Sequence, residues 1–123
     1  MNASSAMRKL IEACSGRVEV YLVYIREAHP ADGDWAMGPK KLNEPRSYEE
    51  RVAAAGGCRQ TLDLAVTVLV DDMQDSVGRA YNAWPERMFL IDTAGVIRFK
   101  MAVGPMGFKP RQAQEFIEGY FKR

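Results

Sequence analysis

Histidine and cysteine are scarce in this chain: His29 is its one imidazole, and Cys14 and Cys58 are its two thiols. A zinc site would need carboxylates in place of the usual ligands, so we expect no metal and no cofactor. Two cysteines so far apart make no disulfide framework. There is no basic run or stripe, and the formal net charge is +1 over 123 residues. That argues against a dedicated nucleic-acid binder, which clusters Lys and Arg on one surface. No apolar run reaches the length of a membrane span. The start lacks a secretory pattern, since Arg8-Lys9 precedes only Leu10-Ile11. A cytoplasmic protein with no nucleic-acid and no membrane partner is therefore expected. Repeats, low-complexity tracts and linkers rich in Pro, Gly and Ser are also missing, so residues 1–123 read as one domain, long enough to bury a sizeable core.

What is there is ordinary globular material, 47% apolar and 27% charged. Met7, Leu10, Ile11 and Cys14 recur at helical spacing, and predict a helix over Ala6–Cys14 that Ser15-Gly16 ends. Val18–Ile25 is rich in β-branched and aromatic residues and nearly continuous in apolarity, which predicts a parallel strand buried on both faces. A polar segment from Arg26 to Pro45 follows, long for a connection in a compact domain. Ser47 and Glu50 form a capping box, opening a helix expected to end near Gly56-Gly57. Ala65–Val70 predicts a second buried strand. Gln74–Tyr81 predicts a short helix with Gly78 as its weak point, stopped before Trp84-Pro85. Arg87–Ile91 and Val96–Met101 form a hairpin around Asp92-Thr93-Ala94-Gly95. In its second strand Ile97 and Phe99 should face inward and Arg98 and Lys100 outward. Pro110 opens the last helix, with Ala113, Phe116, Ile117, Tyr120 and Phe121 as its apolar stripe. Strands alternating with helices predict an α/β fold, a parallel sheet with an antiparallel edge.

Several motifs carry a resemblance. Glu27-Ala28-His29-Pro30 with Asp32-Gly33, the run Val70-Asp71-Asp72-Met73 through Ala80-Tyr81, Trp84-Pro85 and Arg87, and Gly104-Pro105 with Gly107-Phe108 occur in order. Together they resemble the iodothyronine deiodinase family, a selenocysteine- or cysteine-using branch of the thioredoxin-like, peroxiredoxin-like folds. The resemblance covers roughly Met7 to Phe121. It implies a three-layer α/β/α arrangement around a mixed sheet. It also implies a first central strand and a nucleophile loop ahead of the first helix. Met1-Asn2-Ala3-Ser4-Ser5 holds no cysteine and no strand precedes it, so this sequence is expected to lack both, and to show little or no redox turnover. Leaving the flanking strands unpaired would cost on the order of 1–3 kcal/mol per buried backbone group. Three outcomes are open: the flanking strands pair directly, a strand is borrowed by dimerisation, or the natural protein begins upstream of Met1. A selenocysteine codon is also a stop codon, which favours the last. The sequence departs from the family pattern in two further places. Asp34 separates Gly33 from Trp35, and Pro45 stands where the vertebrate hormone enzymes have a second histidine before an Arg-Ser pair. The latter argues against thyroid hormone as the physiological substrate.

The resemblance assigns roles residue by residue. His29 would act in proton transfer, which suits a group titrating near neutral pH. Glu27 would orient it, as the third member of a nucleophile–base–orienter set. Pro85 occupies the place of the cis-proline that faces the active cysteine in thioredoxin-like folds. Arg87 would bind an anionic substrate group or pair with Glu27, and Tyr24 would reach the same pocket. Each has a plainer reading: a loop histidine bonded to backbone, a solvated strand-end charge, a trans proline, a sheet-end salt bridge, a core tyrosine. Cys14, on an apolar helix face, should be an inert buried thiol. Cys58, placed at a helix end, should be structural too, because the helix dipole there disfavours a thiolate. Two functions follow. One is a deiodinase-like thiol or selenol oxidoreductase using an upstream nucleophile on a peroxide, disulfide or halogenated aromatic. The other is a non-catalytic protein that binds partners, or itself as a homodimer, through exposed strand edges.

Overall fold

The computed structural model describes residues 3–27, 44–63 and 65–122. The elements in order are α1 (Ala3–Cys14), β1 (Tyr21–Tyr24), α2 (Tyr48–Leu62), β2 (Thr67–Val70), α3 (Ser76–Ala80), β3 (Phe89–Ile91), β4 (Ile97–Lys100) and α4 (Pro110–Phe121). Among the described residues β1 and β2 form a parallel two-stranded sheet and β3 and β4 an antiparallel one. The chain is thus mixed α/β, with the element order expected of a thioredoxin-like fold. It divides into two compact units, one of Met1–Val20 with Glu86–Arg123 and one of Tyr21–Pro85.

The first unit has an apolar core. The α1 stripe puts Leu10 and Cys14 against Ala113 and Ile117 of α4 and against Met101, which follows β4; all five are buried. Full burial of a side chain such as Leu10 or Ile117 stabilises by about 1.5–3 kcal/mol. Where α1 ends, the N–H groups of Arg17 and Val18 both donate to the Cys14 carbonyl, at 2.9 and 2.8 Å. Gly16 makes the turn with φ +77°, a conformation open to glycine. Arg17 donates to the Ala13 carbonyl at 2.6 Å and lays its guanidinium over Phe121. The hairpin turns as expected. The Asp92 carboxylate accepts from the Ala94 and Val96 N–H groups at 2.9 and 3.0 Å and from Arg98 at 2.7 Å. These bonds to the charged form, Val96 first and then Arg98, hold its carboxyl below the usual range. The alternation in β4 holds only in part: Phe99 is half-buried against Phe116, but Ile97 is exposed. The register shift between Leu90 and Ile91, opposite Ile97, breaks the pleat there.

The second unit is held differently. In β1–β2, Tyr21 faces Thr67, Leu22 Val68, Val23 Leu69 and Tyr24 Val70. Neither strand is buried on both faces, contrary to the sequence expectation. Tyr21 (53%), Val23 and Leu69 are exposed, while Leu22 and Tyr24 turn inward. Continuous apolarity therefore conceals an alternation, one face being left open among the described residues.

Ser47 caps α2, its hydroxyl accepting from the Glu50 N–H at 3.1 Å. The Glu50 carboxylate reaches back to the N–H of Arg46, one residue ahead of the cap, at 2.6 Å. The helix does not end at Gly56-Gly57. It runs on to Leu62 and stops at Asp63, left-handed with φ 51°, whose N–H donates to the Arg59 carbonyl at 3.0 Å. Glycine costs about 1 kcal/mol against alanine inside a helix. That cost is met here by a strong cap and by the inward positions Arg51 and Ala55.

After β2 the chain is bound by carboxylates. Asp71, buried, accepts from the N–H groups of Asp72, Val77 and Gly78 at 2.9, 3.0 and 2.8 Å. Asp72 accepts from Gln74 and Ser76. Together they open α3, which is shorter than expected: the N–H groups of Ser76, Val77 and Gly78 in its first turn all end on these two carboxylates. Gly78 is buried, and a Cβ there would sit 3.4 Å from Asp71 Oδ2 and 3.7 Å from Ile25. What reads as a helix-weakening glycine in sequence is a close-approach position in the fold.

Candidate functional site

Of the residues singled out in sequence, Tyr24 and Glu27 lie at the end of β1, where the segment holding Pro85 meets them. The parallel ladder extends past the strand, the Asp71 N–H donating to the Tyr24 carbonyl at 2.9 Å. That fixes Tyr24, whose side chain lies on the inward face and is buried. Its hydroxyl donates to the Glu27 carboxylate. The phenol is pushed well above its ordinary range, first by burial and then by its bond to Glu27 and the charge there. Tyr24 therefore stays protonated and keeps a donor aimed at Glu27 across the neutral range.

The Trp84 indole N–H donates to the Glu27 carbonyl at 3.4 Å, and the Arg26 guanidinium lies 4.8 Å from the centre of the Trp84 ring. The next residue is Pro85, and the Trp84–Pro85 peptide is cis, as is Gly104–Pro105. One cluster therefore unites Tyr24, Glu27 and the segment holding Pro85. His29 lies outside the described residues. Arg87 falls in the other unit, where its Nε donates to the Met101 carbonyl at 2.6 Å and its guanidinium stacks over Phe89.

Two further groups border the cluster. Cys58 is inside α2, not at its end, so the helix terminus is not what governs its thiol. It is half-buried, and burial first, then the charge of Glu27, pushes its pKa up. Glu44 is raised by burial, against the opposing charges of Arg51 and Arg26. Neither thiol of the chain is activated, since burial raises Cys14 as well, against the opposing charge of Arg17.

Sequence reasoning missed Arg51. It is 2% exposed, the largest fully buried polar side chain described. Its Nη1 donates to the Asp72 carbonyl at 2.7 Å and to the Asp75 carboxylate at 2.9 Å, and its Nη2 lies 3.9 Å from Glu44. Its Nε is buried without a hydrogen-bond partner. The signal lay in the helical spacing of Arg51, Ala55 and Cys58, which puts a charge on the inward face of α2. Among the described residues no cluster of His, Cys, Asp and Glu is placed to hold a metal ion.

A tyrosine–carboxylate pair at a strand end thus lies beside the Trp84–Pro85 segment and a half-buried thiol, Cys58, whose pKa is raised. Comparison with known proteins gives the chain a family. The sequence model for iodothyronine deiodinase matches residues 1–121. The chain belongs to the iodothyronine deiodinase family. It is similar to thyroxine 5-deiodinase of Bos taurus, 34% identical over 122 residues, which is 98% of this chain and 40% of that protein. The Homo sapiens thyroxine 5-deiodinase is also 34% identical, over 98% of this chain and 39% of its own length. Type I iodothyronine deiodinase of Xenopus laevis is 30% identical over 111 residues, 89% of this chain and 43% of that protein. The chain spans about two fifths of the length of the curated relatives it matches.

Family membership overturns the cytoplasmic expectation. Deiodinases are membrane-integral proteins, and the absence of an apolar run in this stretch was the wrong ground for a compartment. Within the deiodinase-like chain itself, no described helix is long and apolar enough to cross a membrane.

Proposed function

We propose that this chain carries the proton-handling scaffold of a deiodinase-like thiol or selenol oxidoreductase. The hydrogen bond from buried Tyr24 to Glu27 carries the reading. A protonated phenol holding a carboxylate in one orientation is the arrangement that would steady a neighbouring imidazole. In this reading His29 moves the proton, Glu27 orients it, and Tyr24 and Pro85 belong to the substrate pocket. The nucleophile is a cysteine or selenocysteine outside these residues, because Cys14 and Cys58 both have raised pKa values and a thiolate is what attacks. The chain by itself then has little or no turnover. The substrate is a peroxide, a disulfide or a halogenated aromatic. Thyroxine is named in the relatives; the resemblance, which puts Pro45 where the hormone enzymes have a histidine, argues against it here.

The test compares this chain with the product of its gene read in frame upstream of Met1, through any UGA. Both are assayed with a dithiol donor against the three substrate classes. Turnover is expected only in the longer product, falling about 10²-fold or more in His29→Ala. Turnover by the present chain that vanishes in Cys58→Ser would overturn the reading.

The exposed face of β1–β2 favours a second reading, a homodimer or binding protein. Tyr21, Val23 and Leu69 leave open a face that parallel sheets ordinarily cover. Sedimentation at low concentration tests the homodimer: a persistent dimer supports it and a monomer removes that version of the reading.

A further inference from the structure

Residues 26 and 27 follow β1 directly, and one side chain holds both. The Trp84 indole N–H reaches the Glu27 carbonyl at 3.4 Å, while the Trp84 ring lies under the Arg26 guanidinium at 4.8 Å. Trp84 itself is 39% exposed. A large aromatic ring so exposed contributes little to a core, and these two contacts are what it makes with the end of β1. Each is weak alone at an exposed site. They act on adjacent residues, one through the backbone and one through the side chain, so together they fix the position of a dipeptide. Only two residues separate Tyr24 from Glu27, and the hydroxyl–carboxylate contact between them depends on where the Glu27 backbone sits.

We propose that Trp84 is a positioning residue. It grips Arg26 and Glu27 and so keeps the Glu27 carboxylate on the Tyr24 hydroxyl. This rests on the reading of Glu27 as the proton-handling carboxylate, and it adds a role for Trp84 distinct from that of Pro85 beside it.

The test needs no turnover. The chain is labelled with ¹³Cζ-tyrosine, and Tyr24→Phe identifies the Tyr24 resonance among the five tyrosines. Glu27→Ala marks its position when the carboxylate is gone. Trp84→Leu removes both contacts and is expected to carry the Tyr24 signal most of the way to that position. Trp84→Phe keeps a ring but loses the N–H, and Arg26→Gln keeps the N–H but loses the cation; each is expected to move it part of the way. Tyr21, Tyr48 and Tyr120 are expected to stay in place in all three. If Trp84→Leu fails to fold, the two milder variants decide. A Tyr24 signal at its wild-type position in both overturns the proposal. So does a joint movement of Tyr21, Tyr48 and Tyr120 with Tyr24, which would mark a general loss of structure. The functional reading fails by a different result, unchanged turnover of the longer product in Glu27→Ala.

Discussion

The two compact units solve the same problem with different materials. The unit of α1, β3, β4 and α4 closes around Leu10, Cys14, Met101, Ala113 and Ile117, an apolar centre with no buried charge among its described residues. The unit of β1, α2, β2 and α3 has among its described residues the buried hydrophobics Tyr24, Ala55 and Val66, and buries Arg51 and Asp71 as well. An apolar core is tolerant, because burial scales with area and has no required direction. A polar centre is specific, because each buried donor or acceptor needs a partner in the right place. The candidate site is built in the second unit, where direction matters.

The comparison can be broken by mutation. Ile117→Ala should cost the most, about 3–4 kcal/mol, through lost burial and the cavity left behind. Urea unfolding measures it, and hydrogen exchange should place the earliest loss of protection in α1 and α4. Equal loss in β1 and β2 would show that the two centres are one cooperative unit. Arg51→Leu should cost about 3 kcal/mol, chiefly by taking the guanidinium from the Asp75 carboxylate and leaving the Asp72 carbonyl with the Asp75 N–H alone. Its exchange signature should fall on the Val77 and Gly78 amides. A neutral result would mean that the arginine's own burial, with Nε unpartnered, cancels what it contributes. Ser47→Ala should cost about 1 kcal/mol by removing the α2 cap.

Acid treats the units alike. Asp72 in one and Asp92 in the other are both held below the ordinary 3.8, Asp72 chiefly by the Ser76 side chain and Asp92 chiefly by the Val96 N–H. A depressed carboxyl contributes stability that is full above its unfolded value and lost as pH falls through its folded one. Stability should therefore drop below about pH 3.8, and Asp72→Asn or Asp92→Asn should each flatten that decline in denaturation curves taken across pH. The smallest effect is on a rate. Cys58 should alkylate slowly at neutral pH, where its raised pKa leaves little thiolate. Glu27→Gln should speed it by removing the second cause of the shift. An unchanged rate would separate Cys58 from the site.

Much of the apolar unit was legible in the sequence, because a repeat of 3.6 or 2 residues reports which side faces inward. The α1 stripe, the Asp92–Gly95 turn and Pro110 at the start of α4 all follow from local pattern. Of the candidate site, Tyr24, Glu27 and Pro85 were named by motif, but their grouping was not legible. Trp84 meets Glu27 across 57 positions of chain, and Arg51 meets Asp72 across 21. The misreadings share a cause. Composition within a window reads Gly56-Gly57 as a helix end and β1 as doubly buried, whereas caps and neighbours outside the window decide both. By itself the sequence determined the α/β order, the helix stripes and membership of the deiodinase family, since these depend on short-range periodicity and motif. Tertiary structure alone decided that a charge would be buried at Arg51 and that Trp84 would hold Glu27, because direction and partner exist only once distant segments meet.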